Sequence, residues 1–236
     1  MELAAEELKQ NLANVRARIR AACERAGRDP SGVTLLAVSK TKPIEDIQVL
    51  LGEGQKAFGE NYVQELKEKY EALGDAAEWH MIGHLQRNKV KYIIDKVCLI
   101  HAVDTLRLAE QIEKEAAKHD RIVEVLMEVN IAREETKWGF TEEEAPAAAK
   151  AMGALPHLRL RGLMTSAPIT KEVETNRPYF RGLRELARRI DAQHFPNVRM
   201  DTLSMGMTQD FEVAVEEGAT IVRVGTAIFG ARDYHM

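Results

Sequence analysis

The sequence has little cysteine and no long apolar run. Only Cys23 and Cys98 occur among its 236 residues, each within an otherwise regular helix or strand pattern. We therefore expect two buried free thiols rather than a disulfide, in a reducing compartment. No apolar run follows Met1, and no stretch is long enough for a membrane-spanning helix. These absences predict a cytoplasmic location.

An excess of charge of one sign is also missing. The formal net charge is −4, and the 30% of charged residues mix both signs along the chain. This balance gives no electrostatic reason to expect nucleic acid or an anionic membrane as a partner. Linkers and low-complexity segments are absent too, so we expect one domain over residues 1–236.

Several motifs that carry known chemistry are missing. The chain has no glycine-rich nucleotide loop and no Gly-x-Ser-x-Gly elbow. His80 and His84 have the spacing of a helical zinc pair, but they run from a predicted strand into a loop, and no glutamate follows His80. We expect no metal site.

Short strands alternate with helices along the chain. Strands are predicted at 33–39, 56–59, 79–82, 97–103, 123–129, 158–163, 200–203 and 220–224. Helices are predicted at 2–26, after Pro43, and at 61–73, 85–95, 104–118, 141–152, 172–193 and 209–217, with a short one after Gly225.

Eight such units in this length predict an α/β fold, a closed (β/α)8 TIM barrel preceded by one extra N-terminal helix. The competing layout, a doubly wound open sheet, would favour a glycine-rich turn after its first strand. The turn from Ser39 to Pro43 contains no glycine.

Active sites of such barrels lie at the C-terminal ends of the strands, and Lys40 stands at the first of these ends. Strand alternation places Leu36, Val38 and Lys40 on one face. If that face points inward, desolvation would favour the neutral, nucleophilic amine. Taken alone, a solvated lysine with an apolar stem is the simpler interpretation.

Arg223 lies inside the otherwise apolar last strand. A guanidinium is seldom buried there without a partner. One interpretation is a structural ion pair with Glu128 or Asp201, and the other is a donor to a ring nitrogen or an anion of a ligand.

Small residues follow strands 7 and 8, the usual phosphate site of this fold. Ser204, Gly206, Gly225 and Thr226 offer hydroxyls and closely approachable backbone amides. Each loop alone is explained by ordinary turn glycines, but the two together favour a phosphate site.

Six segments resemble the YggS/PROSC family of pyridoxal phosphate homeostasis proteins, and the similarity runs from about residue 8 to 230. They are LAVSKTKP (36–43), FGENYVQE (58–65), WHMIGHLQRNK (79–89), RGLM (161–164), LSMGM (203–207) and RVGTAIFG (223–230).

The resemblance implies a barrel like the N-terminal domain of alanine racemase, with pyridoxal 5′-phosphate held as a Schiff base on Lys40. It implies that Arg223 faces the pyridine nitrogen and that Asn61 lines the ring pocket. The residues that would hold the phosphate are Ser204, Gly206, Gly225 and Thr226. The family often has serine at position 208 and an acidic residue at position 209, where this chain has Thr208 and Gln209.

The resemblance also implies a cofactor-binding protein that buffers or delivers pyridoxal phosphate, with apo-enzymes as partners, rather than an enzyme. The alternative is an amino-acid racemase. Barrel racemases take a second base from an added domain, which we do not expect here because the chain ends at Met236. An arginine at the ring nitrogen would also weaken the ring as an electron sink. A monomer is expected.

Overall fold

The computed structural model describes residues 4–230, and its centre is a closed barrel of eight parallel strands in sequential order. β1 pairs with β2 on one side and with β8 on the other, which closes the barrel. The predicted (β/α)8 fold is confirmed. The strands are β1 (Thr34–Val38), β2 (Ala57–Glu60), β3 (Glu78–Met81), β4 (Leu99–Val103), β5 (Val123–Glu128), β6 (Leu158–Met164), β7 (Val198–Met207) and β8 (Ile221–Val224).

Helices surround the barrel. They are α1 (Ala5–Arg25), α2 (Ile44–Gly52), α3 (Val63–Leu73), α4 (Leu106–Lys118), α5 (Ala145–Gly153), α6 (Arg177–Asp191), α7 (Phe211–Glu216) and α8 (Thr226–Phe229). The extra helix α1 buries Leu8, Leu12, Val15 and Ile19, which recur on one face at helical spacing. It packs against α2, α7 and α8. No helix within residues 4–230 is long and apolar enough to cross a membrane.

The α-helix predicted at 85–95 is wrong, because a 3-10 helix, Arg87–Tyr92, stands there. Leu85 and Val90 are buried, but the four residues between them are exposed. That gap leaves no continuous apolar face for an α-helix to bury.

Apolar side chains fill part of the interior of the barrel. One buried cluster consists of Leu36, Ala57, Leu99, Ala102, Leu126, Met164 and Ile221, with the partly buried Ile82 against it. Leu36 therefore points inward, so the face that it was predicted to share with Val38 and Lys40 is the inner one. A larger cluster fills the space between the strands and the helices.

Both cysteines are free, and Cys23 is buried as expected. Cys98 is exposed, so its predicted burial is wrong. It lies one residue before β4, where its thiol donates a hydrogen bond to the carbonyl oxygen of Trp79 at 3.3 Å.

Candidate functional site

A cavity of about 280 Å³ opens at the C-terminal end of the barrel. We call it the mouth cavity. Five of the seven predicted site residues line it, namely Lys40, Asn61, Arg223, Gly225 and Thr226. The rest of its wall is formed by Val38, Ile82, Ser166, Pro168, Ile169, Met207, Thr208, Gln209 and Asp210.

A larger cavity of about 420 Å³ lies at the opposite end, beside the starts of β1, β2 and β3. Two of its polar side chains have protein partners. Gln55 Nε2 donates to the carbonyl oxygens of Leu35 and Ala57, and Arg16 donates to the carbonyl oxygen of Glu53. The mouth cavity is the better candidate for a functional site, because it contains five of the predicted residues and lies at the end of the barrel where active sites of this fold occur.

Lys40 follows β1 and is half-buried in the wall of the mouth cavity. Both of its chain neighbours are held from outside the barrel. Ser39 Oγ donates to Glu60 Oε1 at 2.6 Å, and the backbone N–H of Thr41 donates to Glu65 Oε1. Thr41 has a φ of 62°, a left-handed conformation that non-glycine residues seldom adopt. These contacts fix the backbone on either side of the lysine.

The pair of Glu60 and Lys69 lies behind this segment, fully buried between β2 and α3. Burial raises the pKa of the Glu60 carboxyl to about 7, against the opposing charge of Lys69. Lys69 Nζ donates to Glu60 Oε1 and to the Ser39 carbonyl oxygen, both at 2.7 Å. A buried charge of this kind is stable only while its partners stay in place.

Arg223 is buried in β8, and its guanidinium reaches the mouth cavity. It donates to the carbonyl oxygens of Ser204 and Thr165, each at 2.8 Å. Burial lowers its pKa to about 10, so it remains a cation at neutral pH. Glu128 favours that charge, but within residues 4–230 no carboxylate lies within salt-bridge distance of Arg223. Of its two suggested partners, Asp201 pairs with Arg161 instead.

A hydrogen-bonded chain crosses the barrel interior beneath the mouth cavity. Arg223 donates to Ser204 Oγ at 2.8 Å, Ser204 Oγ lies 2.8 Å from His101 Nδ1, and His101 Nε2 lies 2.9 Å from His80 Nδ1. Burial lowers the pKa of His80 to about 4 and that of His101 as well, which keeps both rings neutral. Because arginine only donates, the Ser204 hydroxyl accepts from Arg223, whereas the donor and acceptor roles between Ser204, His101 and His80 depend on the tautomers of the two rings.

Ser204 and Gly206 do not appear in the wall of the mouth cavity. The Ser204 hydroxyl is fully buried and supports Arg223. Gly206 has a φ of 90°, and a Cβ there would stand 2.5 Å from the Cβ of Ala214 and 2.9 Å from the Cα of Phe211. Glycine at this position therefore lets α7 pack against β7. Their assignment to a phosphate stays a prediction.

Hydroxyl and amide groups gather where β7 and β8 end. The backbone N–H of Gly225 donates to Thr208 Oγ1 at 3.3 Å, and the Thr226 side chain is exposed in the cavity wall. Asp210 orders the turn after β7, because its two oxygens accept from the backbone N–H of Met207 and from Asn176 Nδ2. Thr208 and Thr226 therefore place hydroxyl groups on one side of the cavity, where the Asp210 carboxylate is already hydrogen-bonded to Met207 and Asn176.

Asn61 carries an unsatisfied polar atom. Its Oδ1 is buried and has no hydrogen-bond partner within the described residues 4–230. Buried polar atoms in native structures nearly always have a partner. An unpaired amide oxygen in the wall of the mouth cavity fits a site that is completed by a polar ligand.

Sequence reasoning missed two kinds of residue at this site. The sequence analysis treated His80 only as a possible metal ligand, although inward-facing polar residues on the neighbouring strands β3 and β4 would have indicated a buried network of His80 and His101. The apolar wall formed by Ile82, Pro168 and Ile169 was also missed. The part of the chain that the structure describes contains no cluster of three or more potential metal ligands.

This chain is similar to known proteins over nearly its whole length. The family model for the alanine racemase N-terminal domain matches residues 10–233. A curated protein of Aquifex aeolicus, named pyridoxal phosphate homeostasis protein, is 50% identical over 226 residues, covering 95% of this chain and 98% of that protein. The structure of PipY from Synechococcus elongatus with PLP bound has a TM-score of 0.83 at 32% identity, covering 94% of this chain and all of that one.

The fold also occurs in more distant proteins. Alanine racemase from Corynebacterium glutamicum has a TM-score of 0.75 at 16% identity. The match covers 98% of this chain and 63% of the racemase. At that identity the likeness shows a common fold and nothing of the reaction.

Proposed function

This chain belongs to the pyridoxal phosphate homeostasis proteins, a family built on the alanine racemase N-terminal domain, and from this we propose that it binds pyridoxal 5′-phosphate in its mouth cavity. Its role would be to buffer and deliver the cofactor without turnover of a substrate. The observation that carries the proposal is that Lys40 and the buried Arg223 line one cavity of about 280 Å³.

Lys40 would hold the cofactor through a Schiff base between its Nζ and the aldehyde carbon. Two observations support this role. Lys40 is half-buried in the wall of the mouth cavity, beside the apolar side chains of Val38 and Ile82. Hydrogen bonds that join Glu60, Glu65 and Lys69 to Ser39 and Thr41 fix the backbone on both sides of Lys40, so the position from which its side chain extends is well defined.

Arg223 would face the ring nitrogen. A guanidinium has donors and no acceptor, so it can hydrogen-bond to a ring nitrogen only when that nitrogen carries no proton. When bound, pyridoxal phosphate supplies a reactive aldehyde and an electron-withdrawing ring, and an unprotonated ring is the weaker electron sink. The buried contacts of Arg223 to Ser204 and Thr165 keep it in place.

The phosphate would lie beside Gly225, Thr226 and Thr208, where hydroxyl and backbone donors meet. Ser204 and Gly206 would contribute from behind the wall, by supporting Arg223 and by letting α7 pack closely. The unpaired amide oxygen of Asn61 supports a position beside the ring.

The lining of the mouth cavity also supports the absence of turnover. Racemisation needs an acid–base group on each face of the α-carbon. Within residues 4–230, the lining contains Lys40 and one carboxylate, Asp210, whose oxygens already accept from Met207 and Asn176. No histidine, tyrosine or cysteine of that part of the chain lines the cavity.

The cysteines and the exposed surface bear on where the protein acts and on its oligomeric state. The free thiols of Cys23 and Cys98 support a reducing compartment, the cytoplasm. The exposed large hydrophobic side chains of the described residues are few, which supports a monomer that meets apo-enzymes transiently.

Absorbance spectroscopy tests the proposal with two neighbouring lysines. The protein is incubated with pyridoxal phosphate and dialysed, and the visible absorbance of bound cofactor is measured for wild type, Lys40→Ala and Lys42→Ala. Lys42 Nζ donates to the carbonyl oxygen of Phe229, so Lys42 serves as the matched control. We expect loss of the signal only in Lys40→Ala. An equally coloured Lys40→Ala protein contradicts the assignment.

A second measurement separates binding from catalysis. Wild type and Lys40→Ala are each treated with pyridoxal phosphate, dialysed and incubated with L-alanine, and the formation of D-alanine is measured over time. We expect equal, background rates. Sustained racemisation by the wild type alone would contradict the absence of turnover.

A further inference from the structure

Two further cavities lie next to the mouth cavity at the same end of the barrel. The two cavities, of about 370 Å³ and 320 Å³, adjoin through His84 and Gln86, which line both. The first also contains Asn61, which lines the mouth cavity, and the second ends at Trp138. We call this continuous depression the rim groove.

Exposed aromatic side chains stand along the rim groove. Tyr62 is 58% exposed and Trp138 is 60% exposed. Trp138 stacks on His84 with ring centroids 4.4 Å apart, and His84 Nδ1 lies 2.8 Å from Asp104 Oδ2. The stack is therefore anchored to the barrel. Anchored aromatics with an exposed face are typical of residues that dominate binding at protein interfaces.

Positively charged side chains lie in the same cavity walls as these aromatic residues. Arg87 and Lys89 lie in the walls of the rim groove beside Arg107, and Lys91 follows on the same 3-10 helix. All four are exposed, and within residues 4–230 none lies within salt-bridge distance of a carboxylate. Among the described residues, the carboxylate in the wall of the rim groove is that of Asp104, which is buried and bonded to His84.

The local charge is opposite to that of the whole molecule. The chain carries a formal net charge of −4, yet this patch concentrates four positive side chains in or next to the rim groove. Such a patch attracts an acidic partner and orients it in the encounter, because the remaining surface repels the same partner.

We propose that the rim groove is a docking surface for an acidic segment of a protein that accepts pyridoxal phosphate from this chain. The inference rests on the proposed function, because only a protein that releases its cofactor needs an acceptor at the mouth. Docking along Tyr62, His84 and Trp138 would place the acceptor against the wall that contains Asn61.

The chemistry favours a protein over a nucleic acid. Nucleic-acid sites carry extended basic surfaces on domains that are usually basic overall. Here the patch is short and the chain is acidic. A small patch with two exposed aromatics fits a short acidic segment and a transient complex.

A ten-residue fluorescent peptide of alternating glutamate and leucine is the probe, measured by fluorescence anisotropy at low salt. The proteins are wild type, Arg87→Glu/Arg107→Glu, Trp138→Ala and the control Lys150→Glu. Lys150 is an exposed lysine near the end of α5, so its reversal changes the net charge away from the rim groove.

We expect the peptide to bind wild type and Lys150→Glu equally, and to bind the double variant at least tenfold more weakly. Trp138→Ala should also weaken binding, and added salt should weaken binding to the wild type because exposed charges are screened. Equal affinity for all four proteins, or no binding to wild type, overturns the proposal. Tighter binding of a ten-residue polyuridylate also overturns it.

Cofactor loading separates this inference from the proposed function. The double variant should still bind pyridoxal phosphate like the wild type, because Arg87 and Arg107 lie outside the mouth cavity. If the wild type itself takes up no cofactor, the proposed function fails, whatever the peptide does.

Discussion

Lys69 Nζ donates a hydrogen bond to the carbonyl oxygen of Ser39 at 2.7 Å, one residue before the lysine that we propose holds the cofactor. The same ammonium contacts Glu60 Oε1 at 2.7 Å and Glu65 Oε1 at 3.1 Å. Those two carboxylates accept hydrogen bonds from Ser39 Oγ and from the backbone N–H of Thr41. A buried ion cluster outside the barrel thus sets the backbone that presents the amine inside its mouth.

Replacing the central cation of this cluster should disturb both stability and binding. In Lys69→Met, the buried carboxyl of Glu60 loses its counter-charge, which typically costs ~3–5 kcal/mol of unfolding free energy. We also expect faster cofactor release, because the segment around Lys40 loses a constraint. Urea unfolding and dialysis of the loaded protein measure the two effects.

Lys67→Met is the matched control, two residues away on the same helix. Lys67 pairs with Glu71 at 3.5 Å on an exposed face, where an ion pair contributes roughly 0.3–0.5 kcal/mol. Similar losses in the two variants would show that the buried cluster has no special role.

Ser204 links Arg223 to the two buried histidines. Ser204→Ala removes the hydroxyl that accepts from Arg223 and reaches His101, and leaving buried polar atoms unpaired costs about 1–3 kcal/mol. We expect lower stability and a shifted spectrum of the bound cofactor, because the guanidinium at the ring nitrogen is less well held. Ser31→Ala, at an exposed serine far from the barrel mouth, is the control. A Ser204→Ala protein with wild-type spectrum and stability would contradict this role.

The buried carboxyl of Glu128 should make the free energy of unfolding depend on pH. Burial, with the nearby charge of Asp104, raises its pKa from 4.5 to about 7, against the charge of Arg223. The folded state therefore binds this proton more tightly than the unfolded chain between these pH values. Its contribution to stability is present below pH 4.5 and is lost as the pH rises through 7.

Glu128→Gln should remove that loss. The unfolding free energy of the variant minus that of wild type should rise by up to about 3 kcal/mol between pH 4.5 and 7 and then level off. His80, whose pKa is lowered, acts in the opposite direction at similar pH, but equally in both proteins. Glu135→Gln, at an exposed carboxylate, is the control. A flat difference curve for Glu128→Gln would contradict the raised pKa.

The phosphate position can be tested with two ligands. In Thr226→Val, a hydroxyl at the end of β8 is lost, and a hydrogen bond to a charged group is worth about 1.5–3 kcal/mol. Affinity for pyridoxal phosphate should fall roughly tenfold or more. Affinity for pyridoxal, which has no phosphate, should stay unchanged, as should both affinities in the control Thr202→Val. Equal weakening for both ligands would place Thr226 away from the phosphate.

Much of the fold could be predicted, because alternating periods of strand and helix require parallel strands. Strand alternation also predicted that Leu36, Val38 and Lys40 share one face of β1, and the structure shows Leu36 of that face buried inside the barrel. Lys40, Asn61, Arg223, Gly225 and Thr226 could be placed in one cavity because they lie at the C-terminal ends of three strands of a closed barrel, β1, β2 and β8.

The register of the strands could not be predicted. The pairing of β7 with β8 shifts between Ser204 and Met207, and that of β4 with β5 shifts between Ile100 and Val103. Such irregularities change which side chains point inward. For this reason the sequence did not reveal that Ser204 lies beneath Arg223, or that His101 joins it.

Reductive labelling tests whether Lys40 holds pyridoxal phosphate as a Schiff base. The loaded protein is treated with borohydride, digested and analysed by mass spectrometry. We expect a phosphopyridoxyl group on the peptide that contains Lys40, and fragmentation of that peptide should locate the group on Lys40. A label on Lys42 or Lys137, a label spread over surface lysines, or no label would contradict it.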